Sequence, residues 1–133
     1  MKKDVIPAIL GGALGTAFRI AFDVVLSLMF FSLSWVSIMS INAAGSFLLA
    51  FLVGGLWTRP STPHWVKVFL GPGLLGAFTT FSGVMLQGML LGNMWITASF
   101  LALSIGTSMF AALLGFWAGS PFARTSRRKG VKR

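Results

Sequence analysis

The sequence contains no cysteine and no glutamate, two aspartates and a single histidine. Without cysteine there is no disulfide framework and no thiolate chemistry. With Asp4, Asp23 and His64 as its acids and its histidine, the chain has little for acid–base, metal or nucleophilic catalysis, so an enzyme is not expected. Charge as a whole is scarce. Only 10% of residues are charged, against about 25% in soluble domains. What fills the space is apolar: 56% of the 133 residues are hydrophobic and the mean hydropathy is +0.86. These values describe an all-α integral membrane protein. A cleaved signal peptide is the bland reading of Lys2-Lys3 followed by an apolar run, but three more apolar segments follow.

A spanning helix takes about 20 mostly apolar residues. Four such stretches are predicted, at 5–28, 36–57, 66–91 and 94–117. The connection 30–35 is short and uncharged. The second, 58–65, carries the breakers Pro60 and Pro63, and Gly92-Asn93 makes a tight third turn. Residues 1–119 thus form a four-helix membrane domain, and 120–133 a disordered basic tail that anchors on anionic lipid. Four helices this short do not readily enclose a pathway alone, so an oligomer is expected.

The net charge of +9 invites a nucleic-acid reading, yet no aromatics interleave the cations, and none is expected to bind nucleic acid. The cations instead report orientation. Lys2, Lys3, Arg59, Lys67 and the six of the tail share one side of a four-span chain, while the opposite connections have no Lys or Arg. The excess of Lys and Arg on one side places both termini in the cytoplasm.

The remaining cation, Arg19, lies inside the first span, about 21 Å from its start. An intramembrane charge is a functional hypothesis by default. Pairing with Asp23 one turn on, or snorkelling near the far interface where it attracts anions, are both open from sequence. Gly11 and Gly15 have the spacing of a close helix contact. In the second span, Asn42 lies about 9 Å in and is either interhelical glue or a donor to a passing anion. In the fourth, Thr97, Ser104, Ser108 and Gly115 share one stripe, read as a track of donors, although any single hydroxyl can bond its own backbone.

The most informative run is Gly76-Ala77-Phe78-Thr79-Thr80-Phe81-Ser82 in the third span. Gly73, Gly76 and Gly83 weaken the helix, and Pro72 removes a donor. A break there exposes carbonyls, which suit cations, and amides and hydroxyls, which suit anions. Aromatic rings have positive edges, so Phe78 or Phe81 turned edge-on faces an anion while binding it weakly, as conduction requires.

Taken together, Gly11-Gly12-x-x-Gly15-x-x-x-Arg19, Asn42-x-x-Gly45-Ser46-Phe47 and Gly76-x-x-Thr79-Thr80-Phe81-Ser82 resemble the small fluoride channel family (Fluc, also called CrcB). The resemblance covers all four spans. It implies an antiparallel dimer of four-helix subunits with two passive fluoride pathways along the interface, in the bacterial inner membrane, and a structural sodium ion (Na+) at the dimer centre. Carried over, the sodium would be held by the backbone carbonyls of Gly76 and Thr79. The pathway would use Asn42, Thr80, Phe81, Ser82, Ser104 and Ser108, with Arg19 at its vestibule. The family's pore phenylalanine pair corresponds to Phe81 and Val84, and a glutamate common a turn later to Gln87. These two departures, with the one-sided distribution of Lys and Arg, suggest that the partner is a homologous subunit of opposite orientation rather than a second copy. The alternatives are a small four-helix multidrug exporter, which needs an embedded carboxylate for proton exchange, and a non-conducting membrane assembly subunit.

Overall fold

The computed structural model describes residues 2–29, 34–58, 62–90 and 92–130. The connection at 30–33, Arg59 and Pro60, and the last three residues of the basic tail lie outside them. The described chain is helical almost throughout: α1 (Lys2–Met29), α2 (Ser34–Gly54), α3 (His64–Val68), a π-helical segment (Phe69–Leu75), α4 (Gly76–Phe78), α5 (Phe81–Leu90) and α6 (Met94–Gly130). Four stretches are long and apolar enough to cross a membrane: Asp4–Leu26, Trp35–Gly54, His64–Leu90 and Met94–Pro121. Their apolar side chains remain largely exposed, as lipid-facing residues should be.

α6 is longer than the sequence predicts. Its 37 residues extend about 55 Å, whereas the hydrocarbon core is about 30 Å thick. Trp95 and Trp117, both strongly exposed, stand about 33 Å apart along the axis and mark an aromatic belt at each interface. The expected disordered tail therefore begins, through Gly130, as a continuation of this helix rather than as coil.

Small residues set the packing. A Cβ at Gly11 would overlap the carbonyl oxygen of Phe69, and one at Gly15 that of Leu74. The Gly11/Gly15 face of α1 is thus pressed against the π-helical segment, as its spacing predicts. The same device joins α2 and α6, where Gly115 and Gly119 meet the backbone of Phe47 and Phe51. Gly45 makes room for Phe78 and Thr79, bringing α2 against the middle of the third span.

That third span is interrupted twice. Pro72 has no N–H for the carbonyl one turn back, and the chain responds with the wider π turn, whose end is marked by the Gly76 N–H reaching the Gly71 carbonyl. The second interruption is at Thr79, which leaves the helical region for an extended conformation (φ −74°, ψ 151°). Helix resumes at Phe81. The predicted break is therefore real, and sits at Thr79-Thr80 rather than at the glycines. At the other end of α2, free carbonyls are capped by side chains: Thr58 Oγ1 donates to Gly55, Thr62 Oγ1 to Leu56 and Lys67 Nζ to Trp57.

Candidate anion pathway

Breaking a helix inside lipid leaves backbone groups that hydrocarbon cannot satisfy. Asn42 supplies the remedy. Its Nδ2 donates to the Thr80 carbonyl (2.9 Å), and its Oδ1 accepts from the Thr80 N–H (2.7 Å). One amide thus bonds both backbone groups of one residue, 38 positions away. Asn42 is 8% exposed, so losing either bond would leave a buried group unpaired. The glue reading of Asn42 is thereby realised. An amide nitrogen has a second N–H, so one donor remains beyond the bond to Thr80.

Thr80 caps α5. Its Oγ1 accepts from the Gly83 N–H (3.1 Å), the N-cap pattern, and lies 3.2 Å from Ser82 Oγ. The positive end of α5 is therefore set at mid-span, a position that favours negative charge. The two rings of the motif take different roles. Phe78 is buried and meets Phe22 edge-on, with ring centroids 6.2 Å apart. Phe81 is 67% exposed.

Two cavities flank the Asn42–Thr80 bridge, and Thr80 lines both. One, of about 530 Å³, is walled by Arg19, Asp23, Ile41, Ser82 and Gln87. The other is a groove of about 450 Å³ walled by Asn42, Ser46, Phe81, Val84, Ser104 and Ser108. Residue order along α2 and α5 places them end to end. Ile38 and Leu86 belong to the first cavity, towards the α1–α2 connection, and Leu49 to the second, further along α2.

The hydroxyl stripe of α6 divides along its length. Thr97 Oγ1 donates to the carbonyls of Gly88 (2.6 Å) and Asn93 (3.0 Å), so it ties α6 to α5. Gly115 serves packing. Ser99 and Thr107 bond their own helix one turn back. Ser104 is buried at 4% exposure and lines the groove with Ser108. Those are the two that the resemblance singled out. Sequence reasoning gave no role to Ser46, which lines the same groove one turn from Asn42; the i, i+4 spacing on one helix face was the available signal. Ser37 was also missed. It is 2% exposed and donates to Asp23 Oδ1 across the α1–α2 interface.

Of the predicted site residues, then, Asn42, Thr80, Phe81, Ser104 and Ser108 share the groove, and Arg19, Thr80 and Ser82 share the cavity. The sodium ion does not survive. Among the described residues no group of three or more His, Cys, Asp or Glu could hold a metal ion. The two acids lie apart, Asp4 beside His64 and Asp23 on Ser37. Gly76 has ordinary helical angles (φ −64°, ψ −35°), which direct its carbonyl along the axis. A hard cation collects about six oxygens, and the carbonyls of Gly76 and Thr79 do not supply them.

A bundle of broken and continuous membrane spans, with hydroxyls and one guanidinium lining successive cavities, defines a membrane channel-like protein. Comparison with known proteins is specific. The family model described as CrcB-like protein, Camphor Resistance (CrcB), matches residues 6–120. The chain is 38% identical over 110 residues to the fluoride-specific ion channel FluC of Deinococcus radiodurans, covering 80% of this chain and 86% of that one. It is 31% identical over 126 residues to fluoride-specific ion channel FluC 2 of Bacillus subtilis, covering 92% of each. With FluC 2 of Geobacillus kaustophilus the identity is 34% over 94 residues, 68% of this chain and 70% of the relative. No solved structure matches. The chain belongs to the CrcB/FluC fluoride channel family, whose members are channels and not enzymes.

Proposed function

We propose that this chain is a subunit of a passive fluoride channel of the bacterial inner membrane, which lets fluoride leave the cytoplasm and so lowers its toxicity. The observation that carries the reading is the junction at Asn42 and Thr80, where a cavity containing a cation meets a groove containing hydroxyls. Fluoride holds its water strongly, so a narrow route must offer substitute donors. Asn42, Thr80, Ser82, Ser104 and Ser108 are those donors, Arg19 keeps a positive charge at the end of the route towards the α1–α2 connection, and the edge of Phe81 passes the anion without tight binding. The groove contains no acid to repel an anion.

The working unit is an antiparallel dimer. Gly76, Phe81 and Ser82 are exposed at mid-span, and polar groups beside a broken helix need protein rather than lipid beside them. A homologous partner of opposite orientation is favoured over a second copy, because the Lys and Arg distribution commits this chain to cytoplasmic termini. Residues 1–119 form the membrane domain, and 120–133 the basic cytoplasmic end.

Fluoride efflux from liposomes, followed with a fluoride electrode, tests both parts. Efflux is expected when this chain is reconstituted with a homologue of opposite loop charge, and little when it is alone. Robust efflux from the single chain would overturn the obligate pair. Absence of efflux from both preparations would overturn the channel.

A further inference from the structure

Arg19 and Asp23 lie one turn apart on α1, Asp23 three residues from the end of the span at Leu26, and both line the same cavity. A guanidinium facing an anion route at low dielectric is a trap as much as an attractant, since a conducting site must also let go. Asp23 lies one turn further along α1 and sets a negative charge against the same space. Its Oδ1 accepts a hydrogen bond from Ser37, which is 2% exposed on α2. The carboxylate is thereby anchored to a neighbouring helix. The other walls of the cavity are neutral: Ile38 and Ile41 from α2, Ser82, Leu86 and Gln87 from α5.

We propose that Asp23, anchored by Ser37, is a specificity-determining counter-charge that offsets Arg19, so that the cavity admits fluoride without retaining larger, weakly hydrated anions. The inference rests on the fluoride pathway proposed above. Its physical content is a charge balance. With both groups ionised the pair is neutral overall, and the cavity favours anions only through the position of the guanidinium. Remove the carboxylate charge and the cavity gains a full positive unit, which attracts every anion. Iodide gains most, because it sheds water easily, whereas fluoride must still be desolvated.

The substitution Asp23→Asn removes the charge and keeps an oxygen that can accept from Ser37. Asp23→Glu keeps the charge. Asp23→Ser makes the same charge change with a smaller side chain, should the asparagine variant not fold. Full-length protein is reconstituted, with its partner where efflux needs one, and fluoride efflux is measured against rising iodide. Iodide binding is measured separately by calorimetry on the purified protein, a readout independent of transport. Asp23→Asn is expected to be inhibited by iodide at about fivefold lower concentration than the native protein, and to bind iodide about fivefold more tightly. The glutamate variant should behave as native. The difference should shrink at about 1 M ionic strength, where the screening length falls to about 3 Å. Native iodide affinity in both neutral variants, or a difference indifferent to salt, would overturn the proposal. If the native protein passes no fluoride, the pathway reading falls, and calorimetry still decides the role of Asp23.

Discussion

The two cavities that meet at Thr80 are lined by different chemistry. The Arg19 cavity holds a guanidinium and, one turn along α1, the Asp23 carboxylate. The serine groove offers dipoles: hydroxyls on α2 and α6 and the amide of Asn42. A charge acts over distance and gathers ions. Hydroxyls act only on contact and replace water one hydrogen bond at a time. On the fluoride pathway proposed above, the contrast would be a division of labour, with a charge at one end and a hydroxyl-lined passage at the other. It also explains why the bridge between them is an amide, which satisfies a broken backbone without adding charge.

The most severe disruption of this arrangement is Asn42→Ala. It removes both bonds to Thr80, leaving the N–H and C=O of this half-buried residue without their partner, at up to about 1–3 kcal/mol each. Fluoride efflux should vanish and the melting temperature fall; retained efflux would show that the two cavities do not communicate through this junction. Next comes Arg19→Gln, which should leave the fold intact and raise the fluoride concentration for half-maximal efflux about tenfold. An unchanged value would show that capture does not depend on this charge. The double change Ser104→Ala with Ser108→Ala tests the dipolar end. Efflux should drop about fivefold, roughly one hydrogen bond's worth, while thermal stability moves by less than about 0.5 kcal/mol, because the groove-facing hydroxyls do not tie the helices together. A large stability loss would refute that. The mildest outcome is expected for Thr107→Ala. Its hydroxyl bonds the Leu103 carbonyl, so efflux should stay within about twofold of native. If it matched the serine double change, the separation of groove-facing from self-bonded hydroxyls would fail.

Much of the fold was legible in the sequence because lipid imposes simple rules. Apolar length marked four spans, and Gly11/Gly15 marked a close contact that the packing against Phe69 and Leu74 realises. The break was legible as a region through Pro72 and the glycines. Its position at Thr79-Thr80 was not, because Asn42 decides it from 38 residues away. The sodium expectation failed for a related reason: a motif names carbonyls, whereas a cation site needs many oxygens to converge. Nor could periodicity divide the α6 stripe, since Thr97, Ser104 and Ser108 share a face and differ only in what lies opposite them.

Composition, length and local motif were enough to establish that this chain crosses the membrane four times, that its third span is interrupted, and which family it belongs to. Those features act through the solvent and the near neighbours of each residue, so one strand of letters carries them. Tertiary packing was needed to show that Asn42 closes the break, that Ser37 of α2 bonds Asp23 of α1, and that Thr80 stands between two cavities. Those are meetings of distant segments. Their energies depend on which buried groups find partners, and no single helix contains that information.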